Sequence, residues 1–362
     1  VRLAAPPGPA PRRRAARQLG ALLAATVVLA ACAAPTPEAP PPVTVTPSIE
    51  PSRSTPPEPE VPVTWPLTGV ATAEVAQRPA VAVKIENTNL ARPQEGLDQA
   101  DVVWETIVEF DVSRFVAVFQ SQVPKEVGPI RSVRPMDPAI VAPLRGPLVF
   151  SGGQPGILAL IPQAGIQAIS HDAGAAGLYR VSYRSAPHNV YGDLPTLMAS
   201  ADASHSAPPP AQFSFALRAE QATARLAGRA ASTLAFRLSS ASSPSWGWDA
   251  ASGTWLRSEG TTPATVASGA RIAATNVVSV TAQHPGTGFG AQNGAVVPTY
   301  ELVGEGAATV ATGGMVIDGT WRKAATDQPM QLFAADGSPI LLAPGNTWVE
   351  LVPAGSGSLT VS

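Results

Sequence analysis

Cysteine is nearly absent: the 362 residues contain one, Cys32, so no intrachain disulfide can brace the fold, and stability has to come from burial. Lysine is almost as scarce, at Lys84, Lys125 and Lys323, so most positive charge is arginine. The formal net charge is -2, with no basic stripe interleaved with aromatics, which removes the electrostatic footprint of a nucleic-acid partner. The histidines, His171, His188, His205 and His284, are scattered without HxxxH or HExxH spacing, so no metal site is expected. No glycine-rich segment continues into Gly-Lys-Ser/Thr, no other cofactor signature stands out, and no cofactor is expected. No repeat of solenoid or propeller period is visible. A continuous apolar run of the roughly 20 residues needed to span a bilayer is missing too.

What the chain does have is proline, 39 of them, and a hydrophobic fraction of 45%, enough for a real core in part of its length. Arg12, Arg13, Arg14 and Arg17 precede the apolar run from Leu19 to Ala31, the order of a positive n-region and an h-region of signal-peptide length. The run ends Leu29-Ala30-Ala31-Cys32. Small residues before a cysteine resemble the bacterial lipobox, in which the cysteine is diacylated and becomes the mature N-terminus. Residues 1–31 are therefore expected to be a lipoprotein signal peptide and Cys32 the lipidation site. The partner it implies is a membrane, held through the anchor on the extracytoplasmic face. Residues 32–64, rich in Pro, Thr, Ser and Glu, lack aliphatic periodicity and predict a disordered tether.

The densest candidate region runs from Pro79 to Pro135. Alternating residues Val81, Val83, Ile85, then Val103, Glu105, Ile107, then Phe115, Ala117, Phe119 predict strands. Asn87, Arg92, Glu105, Arg114, Arg131 and Arg134 are expected at turns or strand ends, where a rigid sheet presents chemistry to solvent. Further on, Ser151-Gly152-Gly153-Gln154-Pro155 lies between a short strand and a helix with proline in its first turn, the outline of an anion nest. Two readings of Arg131 and Arg134 stay open: bridges to carboxylates such as Glu105 or Glu109, or bidentate recognition of an anionic group. His188-Asn189, after Tyr183-Arg184, is a ligand contact, a general base or a satisfied turn residue. Ser151 or Ser185 with Asp172 or Asp193 can be combined into a triad, but no elbow motif supports it, and the catalytic residues stay unknown. The candidate ligand-binding set is thus Asn87, Arg92, Glu105, Arg114, Arg131, Arg134, Ser151, Gly152, Gly153, Arg184, His188 and Asn189, expected to converge on a positive pocket.

Several segments carry a family resemblance: PLTG from Pro66, ARPQEGL from Ala91, ADVVWE from Ala100, SRFVAVFQS from Ser113, GPIRSVRP from Gly128 and APHNVY from Ala186. Together they resemble the YerB-like lipoprotein family, which has two paired domains of unknown function. The resemblance implies an extracytoplasmic lipoprotein with a layered α+β N-terminal domain and no established catalytic activity. Two departures stand out. Phe110 and Asp111 occupy a turn where the family usually has glycines, and Ala264-Thr265 follows Pro263 where a His and an Asp are common.

Ser200 to Gln212 reads as a Pro/Ser/Ala linker. Beyond it short strands are predicted over 233–238, 247–257, 271–281, 296–302, 307–312, 315–321, 339–342 and 347–352. Trp246 and Trp248 fall on one strand face, which suits either sugar stacking or core packing. The fold class expected is α+β: a layered mixed α/β domain over 65–199, a linker over 200–212 and a mostly β domain over 213–355. Its function is expected to be binding or scaffolding, for an anionic envelope component or an envelope protein. The competing expectation is an envelope hydrolase or transferase using His188 and a nearby carboxylate.

Overall fold

Val81–Glu86 (β1), Val102–Ile107 (β2) and Ser113–Phe119 (β3) are buried along their whole length, because both faces of this part of the sheet are covered. β-branched and aromatic residues suit such a strand, and here they leave no alternation of exposure. In this computed structural model the described residues are 61–291 and 294–362. The expected signal peptide, Cys32 and all but the end of the tether lie outside them.

The three strands belong to an eleven-stranded sheet. β1 pairs antiparallel with β3 and parallel with Leu148–Phe150 (β4), which pairs with Ala168–Ser170 (β5). On the other side β3 pairs antiparallel with β2. Past β2 the sheet continues in strands from the far end of the chain: Asn276–Ala282 (β6), Gly304–Thr312 (β7), Met315–Lys323 (β8), Gln331–Ala334 (β9) and Thr347–Pro353 (β10). β2 pairs in parallel with β10, in the register Val102↔Thr347 to Glu105↔Glu350. One sheet therefore passes through both halves. Toward its edge, β8 alternates exposed with buried residues from Thr320 to Lys323, as a strand covered on one face should.

A second, six-stranded sheet contains Thr233–Arg237, Pro244–Asp249, Thr254–Glu259 and Ser358–Val361. It lies against the first, and Trp246 on it meets Trp348 of β10 edge-on at 5.2 Å. The helices are few and short, Asp137–Val141 (α1) and Pro155–Gln163 (α2) among them, so the first half is more strand and less layered helix than expected.

Several sequence expectations need correction. Residues 247–257 are not one strand: Asp249 accepts backbone bonds from Ala251 and Ser252 and Gly253 adopts φ +68°, making a hairpin turn. Residues 339–342 make only isolated bridges, Phe215↔Leu342 and Phe333↔Pro339. Trp246 is fully buried, and the half-buried Trp248 packs on the buried Trp255 at 5.4 Å, so packing accounts for the pair and a sugar platform does not. Glu105 is not at a strand end facing solvent. It sits inside β2 with no exposure, because the second sheet covers that face. From the end of the expected linker the chain folds back on the first half: Gln212 Nε2 donates to the Pro143 carbonyl at 3.2 Å, and Phe213 stacks on Trp104 at 6.4 Å.

Candidate functional site

The segment from Gly128 to Pro135 runs as extended chain beside β1. Glu86 N donates to Pro129 O at 2.9 Å, Arg131 N to Lys84 O at 2.8 Å, and Ser151 N to Arg131 O at 3.0 Å. Val133 N donates to Gly152 O at 3.0 Å on its other side. These bonds thread the two arginines between the end of β1 and the glycine pair before α2. The far end is pinned by Asp137, whose Oδ2 accepts from Arg134 N at 2.7 Å and whose Oδ1 meets the fully buried Lys84 Nζ at 2.6 Å. Burial pushes Lys84 down to about 8 against the pull of Asp137.

The result is an open cleft of about 460 Å³. Its floor and walls come from Glu86 and Thr88 after β1, Arg114 on β3, Arg131, Ser132 and Arg134, with Gly153 and Gln154 at the start of α2. Glu109, Phe110 and Val112 form one rim; Asp172 and His188 line it too, and Ala291 of the second half reaches its edge. Arg131, Arg134, His188 and, of the expected glycine loop, Gly153 line the cleft together, whereas Ser151 and Gly152 do not. The pocket is not uniformly positive, however, because three carboxylates share it. Arg134 Nε pairs with Glu109 Oε2 at 2.7 Å, and Arg131 Nε lies 3.3 Å from Glu86 Oε2. Nδ1 of His188 is 2.9 Å from each oxygen of Glu86, which is itself 1% exposed. Thr88 Oγ1 donates to the same carboxylate at 2.8 Å.

Arg114 is the exception. It is 7% exposed, its Nη1 donates to the Ser132 carbonyl at 3.0 Å, and Glu86 and Glu109 on either side are taken by Arg131 and Arg134. Among the described residues it forms no ion pair. Burial, then the neighbouring charges of Arg134 and Arg131, push it down to about 9 against the pull of Glu109 and Glu86, so at neutral pH it is charged and has no directly bonded carboxylate. Two further atoms are poorly matched: Glu109 Oε1 is buried with no donor, and Arg131 Nε is buried without an aligned acceptor.

The glycine pair has a packing reason as well. A Cβ on Gly152 would stand 2.0 Å from Asp172 Oδ2, and one on Gly153 2.8 Å from Val133 Cγ1. The chain's own carboxylate thus covers Gly152, and the expected nest is open only towards Gly153 and Gln154. Ser151 points at Ser132, Oγ to Oγ 3.5 Å.

The remaining candidates lie elsewhere. Asn87 and Arg92 join Glu259: Arg92 Nη2 reaches Glu259 Oε2 at 3.0 Å, and Asn87 Oδ1 accepts from Arg92 Nε at 2.9 Å. Arg184 donates to the carbonyls of Leu90 and Pro93 at 2.7 and 2.8 Å, fixing a loop. Asn189 accepts from Arg180 Nη1 at 2.6 Å. Glu105 binds Arg257 Nη2 at 2.6 Å in a sealed cluster. Asp193 caps the helix Leu194–Ala199 through Thr196 N at 2.9 Å, which removes it from any triad. No metal-holding group of three or more His, Cys, Asp or Glu exists among the described residues.

Sequence reasoning missed Glu86 and Phe110 as site residues. Lys84 and Glu86 share one face of an otherwise apolar strand by the period of two, and Glu86 lies opposite Arg114 in register, so a charged pair in VAVKIE was the available signal.

A family profile described as "Protein of unknown function (DUF3048) N-terminal domain" matches residues 67–207, and its C-terminal counterpart matches residues 234–349. The chain belongs to the YerB-like family. The cleft residues other than Ala291 fall in this family's N-terminal domain, and Arg257 and the start of β10, Thr347 to Val349, in its C-terminal one. A relative named "Putative lipoprotein YerB", from Bacillus subtilis, is 36% identical over 128 residues, 35% of this chain and 39% of the relative's length. The crystal structure of YerB from Bacillus subtilis superposes with a TM-score of 0.69 at 24% identity, covering 82% of this chain and 99% of that one. The YerB-like fold is therefore shared across the two-half sheet. Among the described residues no helix is long and apolar enough to cross a membrane.

Proposed function

We propose that this chain is a lipid-anchored, extracytoplasmic binding protein that captures an anionic group of an envelope component or envelope protein in the Arg114 cleft. One observation carries the reading: Arg114 is buried, charged and unpaired between two further arginines. Burying a cation with no directly bonded carboxylate is costly, and a ligand oxyanion lowers that cost while accepting a charge-assisted hydrogen bond of about 1.5–3 kcal/mol. Arg131 and Arg134 stand beside it as further donors. Thermal unfolding at low ionic strength should show stabilisation by phosphate or acetate, lost in Arg114→Met. Equal shifts in the two proteins, or none in either, overturn the reading. The anchor is supported by the lipobox at Cys32 and by the relative's name. Cys32→Ser should release the protein from membranes, and retention there would remove the anchor.

A second reading, a hydrolase or transferase, is favoured by the His188–Glu86 pair. A buried carboxylate holding Nδ1 fixes the imidazole, which leaves Nε2 as the ring atom able to accept a proton in an open cleft. Turnover of chromogenic phosphate or acetate esters that disappears in His188→Asn would establish it. Equal rates in both proteins would retire it.

A further inference from the structure

We infer that the ligand of this cleft is a saccharide bearing a carboxylate or phosphate, its charged group at Arg114 and a ring face against Phe110. This rests on the anion-binding reading and supplies the body that carries the anion. The first observation is Phe110 itself. It adopts φ 63° and ψ 26°, and the next residue, Asp111, has φ 58°. Two consecutive left-handed residues with side chains are strained, and strain of this kind persists only where the surroundings impose it. Packing of the ring is not what imposes it, since Phe110 is 67% exposed. The turn is instead gripped on both sides. Glu109 is held by Arg134 at 2.7 Å, and Val108 N donates to Val112 O at 2.9 Å. From the second half, Ser239 Oγ donates to the Asp111 carbonyl and Ser240 Oγ to its carboxylate. The chain thus spends its hydrogen bonds on fixing an aromatic ring in water at the cleft rim.

The second observation is the unused acceptor Glu109 Oε1, buried and without a donor on the same wall. The cleft offers donors to an anion, an acceptor to a hydroxyl and a flat apolar surface. An inorganic anion uses the first alone. An apolar carboxylate leaves Glu109 Oε1 bare, and a neutral sugar leaves Arg114 uncompensated. A sugar acid or sugar phosphate meets all three, with C–H groups of the ring on Phe110 and a hydroxyl donating to Glu109.

The test titrates the full chain calorimetrically with glucuronate, glucose 6-phosphate, glucose, phosphate and acetate. We expect glucuronate or glucose 6-phosphate to bind at least tenfold tighter than glucose and than its parent anion, acetate or phosphate. The preferred sugar anion tells a carboxylate from a phosphate. Phe110→Gly is the diagnostic variant, because glycine takes φ 63° without strain and the fold is kept. It should bring the sugar anion down to the affinity of the parent anion and leave that anion unchanged. Sugar anions no tighter than their parent anions, glucose binding as tightly as either, or a sugar preference intact in Phe110→Gly overturns the saccharide inference. In each case binding of phosphate or acetate shows that the anion site survives. Binding of no anion at all takes down both.

Discussion

Arg257 and Arg114 are both buried arginines, and they differ in almost everything else. Arg257 has no exposed surface and pairs with Glu105 at 2.6 Å, Glu350 at 2.7 Å and Glu259 at 3.0 Å. Its guanidinium also lies over the rings of Trp348, Phe115 and Trp246, at 4.8, 5.4 and 5.5 Å. Those partners come from both halves and from both sheets, and together their charges raise its proton affinity despite burial. Arg114 sits on β3 bonded to a carbonyl, with the like charges of Arg134 and Arg131 beside it and the carboxylates of Glu109 and Glu86 nearby but paired elsewhere. A buried charge whose bonds are all made inside the protein is a joint. One whose bonds are left open is what the proposed anion would complete.

The largest effect should come from removing the joint. Arg257→Met strands Glu105 in the core and is expected to cost about 3–5 kcal/mol in denaturant unfolding. The same change at Arg114 orphans one carbonyl and relieves a buried charge, so it should cost less than about 1 kcal/mol or stabilise. Equal costs would break the comparison.

A smaller effect sharpens it. Burial and the adjacent Glu105 hold Glu350 well above its ordinary 4.5, whereas Arg257 holds Glu105 below despite burial. Of the two carboxyls Glu350 therefore holds a proton the more readily, and in that protonated state its otherwise unpartnered Oε2 can donate to Glu105. Glu350→Gln mimics that state and should change stability by under about 1 kcal/mol near neutral pH, against about 1–3 for Glu105→Gln. A raised carboxyl pKa stabilises below the unfolded value and loses that contribution as pH rises towards the folded one. Wild-type stability should accordingly fall relative to Glu350→Gln as pH is raised from about 4.5 towards neutrality. A parallel pair of curves would show Glu350 to be ionised. The smallest effect lies at the cleft rim, where Phe110→Gly should release strain and stabilise by roughly 1 kcal/mol, read as a higher Tm.

The central strands were legible because period-two apolar runs at 81–86, 102–107 and 113–119 are long and unbroken. Arg131, Arg134, His188 and Gly153 were legible as a group, and they do line one cleft. What escaped was pairing at long range. Nothing local in VVWETI distinguishes Glu105, sealed by Arg257 some way down the chain, from a carboxylate at an open strand end. Nor does a resemblance reveal that Arg131 would share its cleft with Glu86, since the charged pair Lys84 and Glu86 in VAVKIE marks a polar face of β1 without naming its partners. Phe110 was noticed for standing in an unusual turn, and its φ supplies the meaning.

The parallel pairing of β2 with β10 also sets an order of events. Val102 has no neighbour on that side until Thr347 is available. Its partner strand is synthesised long after it, and strand pairing between such distant segments is slow to form. Until then β2 offers a bare, apolar edge, the kind of surface that invites wrong pairings. The main sheet is thus completed only once β10 has been made. Shielding that edge in the interval is the corresponding burden of a sheet joined across both halves.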